Sequence, residues 1–141
     1  ACPDIPVYLN ERDAAMQKPG MQRLFPPVPD TLPFDEGDIL AIGSIPVRVH
    51  ATPGHTPGSV VLLCGEHLFC GDTLFAGSIG RTDLEGGSSA QMADSLRKLA
   101  QLPIPRETQV LPGHGEFSIF GAELDNNYYI RSALRGGNDI F

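Results

Sequence analysis

Two histidines and an aspartate stand in glycine-rich segments that each follow an apolar run. His55 lies in Thr52-Pro53-Gly54-His55-Thr56-Pro57-Gly58-Ser59, Asp72 in Gly71-Asp72-Thr73, and His114 in Pro112-Gly113-His114-Gly115. Imidazole nitrogen and carboxylate oxygen are donors that a borderline divalent ion such as zinc accepts. A strand delivers the loop that follows it to a fixed point, and glycine lets the chain turn sharply there, so separate loops can aim side chains at one centre. Each residue also has a plainer reading. A loop histidine can simply bond to backbone carbonyls, and Asp72 can cap its own turn through the amides of Thr73 or Leu74.

The elements needed to hold these loops are legible on either side of them. Residues 38–42 and 46–51 read as a hairpin around Gly43-Ser44, and 59–64 with 67–71 as a second one around Gly65-Glu66. One more strand, 108–111, ends at the His114 turn. These runs are apolar almost throughout, which predicts a sheet buried on both faces. Residues 90–101 give the clearest helix, capped by Ser88 or Ser89 and stopped by Pro103, with Met92, Leu96, Leu99 and Ala100 at helical spacing. A last helix is expected over 121–132 with Leu124 and Tyr128 on its inner face. Near the N-terminus, 5–9 reads as a strand and Asn10 as the N-cap of a short helix over 11–17, ended by Pro19-Gly20. The proline-rich stretch 19–37 reads as a long irregular connection of the kind that forms walls or lids. The tail at 135–138 is expected to be loose. With no repeat, low-complexity tract or second domain in view, the class is α/β and residues 1–141 read as one domain.

Composition narrows the partners. The 141 residues carry a formal net charge of −7, and the ten basic residues are scattered. A phosphate-backbone binder needs clustered Lys and Arg, so no nucleic-acid partner is expected. No apolar run approaches the roughly 20 residues that cross a bilayer, so no membrane partner is expected either, and cytoplasmic location is the default. Of the three cysteines, Cys64 and Cys70 flank a turn on apolar strands and read as small buried hydrophobes. A disulfide between them or a thiolate metal site stays open, although neither sits in a Cys-x-x-Cys spacing. Cys2 is expected at a frayed end. His50, inside a strand pattern, and His67, at a strand start, match no ligand position and read as structural.

In this order and with this local sequence, the three loops resemble those of the metallo-β-lactamase superfamily, in particular small hydrolases of the glyoxalase II type. The eight residues from Thr52 to Ser59 are similar to the family's third ligand loop. Gly71-Asp72-Thr73-Leu74-Phe75 resembles the segment whose aspartate bridges two metals, and Leu111-Pro112-Gly113-His114-Gly115 resembles the loop of a second-metal ligand. The resemblance implies a four-layer αββα sandwich with its site at one edge between the sheets. It also implies two divalent metal ions on His55, Asp72 and His114: zinc, with iron or manganese as alternatives. One carboxylate has two oxygens, so it can hold two cations roughly 3.5–4 Å apart. Gly77-Ser78-Ile79-Gly80-Arg81-Thr82-Asp83 is similar to the family's Gly-Arg-x-Asp loop. Arg81 is thereby implied as a residue behind the ligands, with Asp83 as its partner or a turn cap; a substrate-facing Arg81 is the alternative. Most ligands of that family come from an upstream His-x-His-x-Asp-His loop, and no such run occurs among the four histidines here. Residues 2–9 look like an internal strand of the family, so the chain reads as the C-terminal two-thirds or so of a larger catalytic domain.

The activity so implied is hydrolysis of a thioester such as S-lactoylglutathione by a metal-bound hydroxide, formed as the pKa of water falls from about 15.7 toward neutrality. The metals would then stabilise the tetrahedral oxyanion. No protein nucleophile is required, and the sequence has no Gly-x-Ser-x-Gly elbow. The stretch after His114 is too short for the glutathione-binding helical region of larger glyoxalase II enzymes, so the chain looks more like the short bacterial form. Tyr128, Tyr129 and Arg131 offer ring faces and one positive charge to an acyl thiol, though helix packing accounts for the tyrosines at least as well. Two alternatives remain. One is a persulfide dioxygenase of the same fold, with one iron on His55 and Asp72 and His114 unused. The other is a non-catalytic half-domain that folds or binds only with a partner. Three ligands leave two metals under-coordinated, and a missing segment leaves strand edges and an apolar face exposed. The chain alone is therefore expected to bind metal weakly, to hydrolyse little, and to associate unless the upstream part is present.

Overall fold

A computed structural model describes residues 5–17 and 26–136 of the chain. Cys2, the expected Pro19-Gly20 helix stop and the end of the tail at Gly137-Asn138 lie outside the described residues. In chain order the elements begin with β1 (Val7–Tyr8), α1 (Glu11–Ala14) and β2 (Thr31–Leu32), β1 pairing in parallel with β2. An antiparallel run follows: β3 (Ile39–Ile42), β4 (Ile45–Ala51), β5 (Val60–Cys64) and β6 (His67–Gly71). A small hairpin of β7 (Leu74–Phe75) and β8 (Ser78–Ile79) leads to α2 (Ser89–Gln101). The last elements are β9 (Gln109–Pro112), β10 (Ser118–Ile119), α3 (Phe120–Asn126) and α4 (Tyr128–Leu134).

The main sheet has six strands in the order β10-β9-β6-β5-β4-β3. β9 enters beside β6 in parallel, while the other pairings of this sheet are antiparallel. Because β4 opposes β5 and β5 opposes β6, strands β4, β6 and β9 all run the same way. Their C-terminal ends meet at one edge, and the loops bearing His55, Asp72 and His114 leave from those ends.

One face of the sheet is closed by helices. Val61, Leu68, Cys70 and Val110 pack with Met92, Ala93, Leu96 and Leu99 of α2, Phe120 of α3, and Ile130 and Ala133 of α4. The other face departs from the expected double burial. Val47 and Val49 are sealed, but Phe69 is 46% exposed, and Ile42 and Ile45 of the β3–β4 hairpin stand open. The apolarity of these exposed residues therefore misstates their burial.

Two further corrections concern helices. Asn10 does cap α1, its side chain accepting from the Arg12 amide, but the helix stops at Ala14 rather than 17. The chain continues as turns in which the Met16 and Gln17 amides reach back three residues, to Asp13 and Ala14. The single helix expected over 121–132 is two, broken at Asn127, which is fully buried. The Asn127 side chain accepts from the Tyr129 and Ile130 amides, which caps α4 and resets its phase. Ile130 and Ala133 then face the core, and Tyr128, expected on the inner face, is 68% exposed. Leu124 is partly buried against the core as expected.

Charged groups tie the connection before β3 to the sheet. The Glu36 carboxylate accepts from the Ala51 amide and from Lys98 Nζ, and Lys98 also donates to the Ala51 carbonyl at 2.8 Å. Partial burial works against the charged form of Glu36, but the bonds from Lys98 and Ala51 outweigh it and hold the carboxyl below its usual range. No helix among the described residues is long and apolar enough to cross a membrane.

Gly54 joins the first ligand loop to α2. Its φ of +149° suits glycine, and a Cβ there would lie 2.6 Å from Met92 Cα and 2.7 Å from Met92 N. Gly43, at φ +61°, has open space around it. Gly43→Ala should therefore cost about 1 kcal/mol of backbone strain alone. Gly54→Ala, which must also push the loop off the helix, should cost about 3 kcal/mol or more. Equal losses in urea unfolding would mean that the loop is not packed on α2 in this way.

Candidate metal centre

The His55 loop is held at both of its ends. The Thr52 amide donates to the Ser59 carbonyl at 2.8 Å, closing the loop, and the Ser88 amide donates to the Gly54 carbonyl at 2.8 Å. Ser95 Oγ of α2 donates to the Pro53 carbonyl at 2.7 Å. The hydroxyls of Thr52 and Thr73, both fully buried, lie 2.8 Å apart and join the His55 loop to the Asp72 turn. The Gly113 amide donates to the Gly71 carbonyl at 2.8 Å and joins the same turn to the His114 loop. Three loops distant in sequence are thus laced together by short polar bonds at the sheet edge.

These bonds bring the three residues together. His55 Nε2 is 3.3 Å from Asp72 Oδ2, and His114 Nε2 is 3.5 Å from Asp72 Oδ1. Asp72 stands between two imidazoles and gives one oxygen to each. His55 Nδ1 is 2.8 Å from the Arg81 carbonyl, which can only accept, so Nδ1 carries a proton and in the neutral ring the lone pair is on Nε2. A lone pair and a carboxylate oxygen facing each other at this range repel unless a proton or a cation lies between them. Two ligands of a tetrahedral ion with bonds of about 2.0–2.1 Å stand roughly 3.4 Å apart, close to both separations found here. The donors present therefore fit divalent metal, as part of a ligand set. Among the described residues no three His, Cys, Asp or Glu side chains surround a single point.

A cleft of about 360 Å³ opens at this point, lined by His55, Asp72, His114, Phe75, Ile79 and Arg81 among others. The Phe75 ring meets the His114 ring edge-on, with centroids 6.2 Å apart. The β7–β8 wall of the cleft is braced from behind. The buried Glu123 carboxylate accepts from the Gly77 amide at 2.9 Å and from Asn127 Nδ2 at 2.8 Å, and that amide also donates to the Ser78 carbonyl.

The remaining residues singled out by sequence fall as follows. The Arg81 guanidinium makes two 2.7 Å bonds to the Asp83 carboxylate. This pairing holds the Asp83 carboxyl down to about 2. Arg81 reaches His55 through its backbone carbonyl, a contact its side-chain type does not reveal. Tyr128, Tyr129 and Arg131 are on α4 and do not line the cleft; Tyr129 packs partly against the core. His50 is buried, with Nδ1 3.6 Å from Glu36 Oε1, and His67 is exposed at the far end of β6 from Asp72. Cys64 and Cys70 are both free. Burial, and to a lesser degree the nearby Glu123 charge, pushes the Cys70 thiol up to about 12, so it is no nucleophile at neutral pH.

Residues 3–114 match the model of the metallo-beta-lactamase superfamily. An uncharacterized protein of Aquifex aeolicus is 32% identical over 94% of this chain and 67% of its own length. A hydroxyacylglutathione hydrolase of Gloeobacter violaceus is 43% identical over 81% of this chain and 40% of its own. Among solved structures, TTHA1623 in a di-iron-bound form superposes with a TM-score of 0.72 at 36% identity, covering 88% of this chain and 64% of that one. ETHE1 from Myxococcus xanthus gives a TM-score of 0.67 at 27% identity, covering 86% and 63%. The chain spans two thirds or less of the length of these relatives. With most of its length matched by the family model and its three loops converging on one sheet edge, the chain belongs to the metallo-beta-lactamase superfamily.

Proposed function

We propose that this chain carries part of the active site of a metal-dependent thioester hydrolase of the glyoxalase II type, acting on S-lactoylglutathione or a related acyl thioester. The observation that carries the reading is the Asp72 carboxylate, with one oxygen 3.3 Å from His55 Nε2 and the other 3.5 Å from His114 Nε2. A carboxylate so placed suits two divalent cations, with His55 on one and His114 on the other. Divalent cations bound there would supply Lewis acidity, acidifying a water and polarising the thioester carbonyl. The chain's own residues hold the arrangement. Asp72 contributes the negative charge that offsets cation–cation repulsion. The Arg81 carbonyl fixes the His55 tautomer and ring plane. Phe75 and Ile79 form an apolar wall that limits water on one side of the cleft. Cations of this kind need three or four protein ligands each, so we further propose that the remaining donors come from polypeptide beyond these three loops.

The one-iron reading, a persulfide dioxygenase using His55 and Asp72, leaves His114 without a task. The approach of His114 to the second Asp72 oxygen favours the two-metal hydrolase. The likeness to a hydroxyacylglutathione hydrolase also supports thioester hydrolysis.

Asp72→Asn keeps the shape and removes the charge. Changes behind the ligands cost 10–100-fold in affinity or activity, so this change at a bridging ligand should lower thioester turnover of the full-length polypeptide by about 100-fold or more. Metal analysis should find about one equivalent lost per chain. Full metal content with near-normal turnover would reduce Asp72 to a turn cap. A separate assay divides the two activities: the hydrolase should release thiol from S-lactoylglutathione without consuming oxygen. Oxygen uptake with a persulfide, one iron per chain and no thioester turnover would assign the dioxygenase instead.

A further inference from the structure

We infer that Asp13 is a positioning residue for the His55 loop: a carboxylate from α1 that clamps the segment just after the ligand. The inference rests on the reading of His55 as a metal ligand. Asp13 Oδ1 accepts from the Gly58 amide at 2.7 Å, and Oδ2 accepts from Thr56 Oγ1 at 2.9 Å. Thr56 is bonded in turn to Ser59, whose Oγ accepts from the Thr56 amide at 3.0 Å and lies 2.8 Å from Thr56 Oγ1. Both carboxylate oxygens of Asp13 are thus spent on one loop, more than forty positions away in sequence. The Arg81 carbonyl holds the His55 ring from one direction, and Asp13 holds the following backbone from another.

The fit is close enough to dictate a glycine. A Cβ on Gly58 would lie 2.6 Å from Asp13 Cγ, 2.7 Å from its Oδ1 and 2.9 Å from Asn10 Oδ1. Helix α1 has no buried residue within it, so it is not there to fill a core. It is held instead at its cap: Asn10, 4% exposed, accepts from the Arg12 amide and donates to the Phe34 carbonyl at 3.0 Å. A four-residue helix without an apolar face, anchored by its cap and spending its aspartate on a ligand loop, is a brace for that loop. Asp13, Thr56 and Gly58 line a groove of about 400 Å³ that also reaches His55 and Asp72.

The test compares Asp13→Ala, Asp13→Asn and Thr56→Val with wild type in the full-length polypeptide, reading zinc affinity by competition with a chelator, kcat and KM separately, and the melting temperature without metal. Asp13→Ala should weaken zinc binding by about 10–100-fold, the range for residues that orient ligands, and lower kcat with KM little changed. Asp13→Asn keeps an oxygen for the Gly58 amide and should recover most of the zinc affinity. Thr56→Val, which loses one bond of the brace, should fall between. Leu99→Ala, a core truncation under α2, serves as the control: it should lower the melting temperature at least as far as Asp13→Ala and leave zinc affinity unchanged. If Asp13→Ala does not fold, Thr56→Val decides, because it removes the hydroxyl contact alone. Zinc affinity in Asp13→Ala equal to wild type, or a loss matched by Leu99→Ala, overturns the inference while leaving the metal site standing. A wild type that takes up no zinc overturns both.

Discussion

His55 Nε2 and a carboxylate oxygen of Asp72 face each other at 3.3 Å. Left in water, two such groups would turn apart and hydrate separately. Here they are held, and most of the local structure can be read as what holds them. The shared direction of β4, β6 and β9 brings the loops to one edge. The Thr52–Thr73 hydroxyl pair and the bond from Gly113 to Gly71 then fix them to one another. A cation bound there would meet donors already held in place, so the ordering that these braces impose would be returned as metal affinity.

The braces are polar and the core is not, and the two divide the work. Packing among Leu68, Met92, Leu96, Leu99 and Ile130 fixes where α2 and α4 lie on the sheet. Packing is nondirectional, however, and cannot aim an imidazole to within a few tenths of an ångström. Hydrogen bonds can, and each adds roughly 1 kcal/mol when made and costs more when a buried partner is left without it. The Glu123–Asn127 pair illustrates the second half of that statement. Asn127 interrupts one helix, caps the next, and ties both to the wall of the cleft through Ser78. A residue with that many obligations must be buried and must be an amide, because it both donates and accepts.

How much of this was legible in the sequence follows from the range of each interaction. The antiparallel hairpins and the cap of α2 at Ser88 are encoded within a few residues and were readable from spacing, whereas the His55, Asp72 and His114 loops were singled out by resemblance to a family. The convergence of His55, Asp72 and His114 depends on β9 pairing in parallel with β6, a contact across about forty residues. Resemblance to a family suggested it, and periodicity could not. Asp13 was invisible because its partners are remote and because an acid in a first helical turn has an ordinary local explanation. Gly58 was the available signal, since a glycine beside a ligand often marks a close approach by something else. Arg81 was noticed for its guanidinium, which binds Asp83, while its service to His55 passes through a carbonyl that every residue type shares. The helix break at Asn127 failed for a related reason: asparagine within an apolar helical pattern reads as a tolerated polar residue until its burial is known.

The open sheet face and the His55–Asp72 pair border one groove. Register places Val60, Leu62 and Phe69 on one face, opposite the helices, and Phe69 is 46% exposed. Val60 also lines the groove that ends at His55 and Asp72. Polypeptide laid over that face would bury Phe69 and border that groove. If the ligand set proposed above is completed by such polypeptide, covering the apolar face and completing the site become one structural event. Apolar burial would supply the driving force, at about 25 cal/mol per Å² removed from water. The carboxylate and imidazoles would then set where the incoming chain must stop.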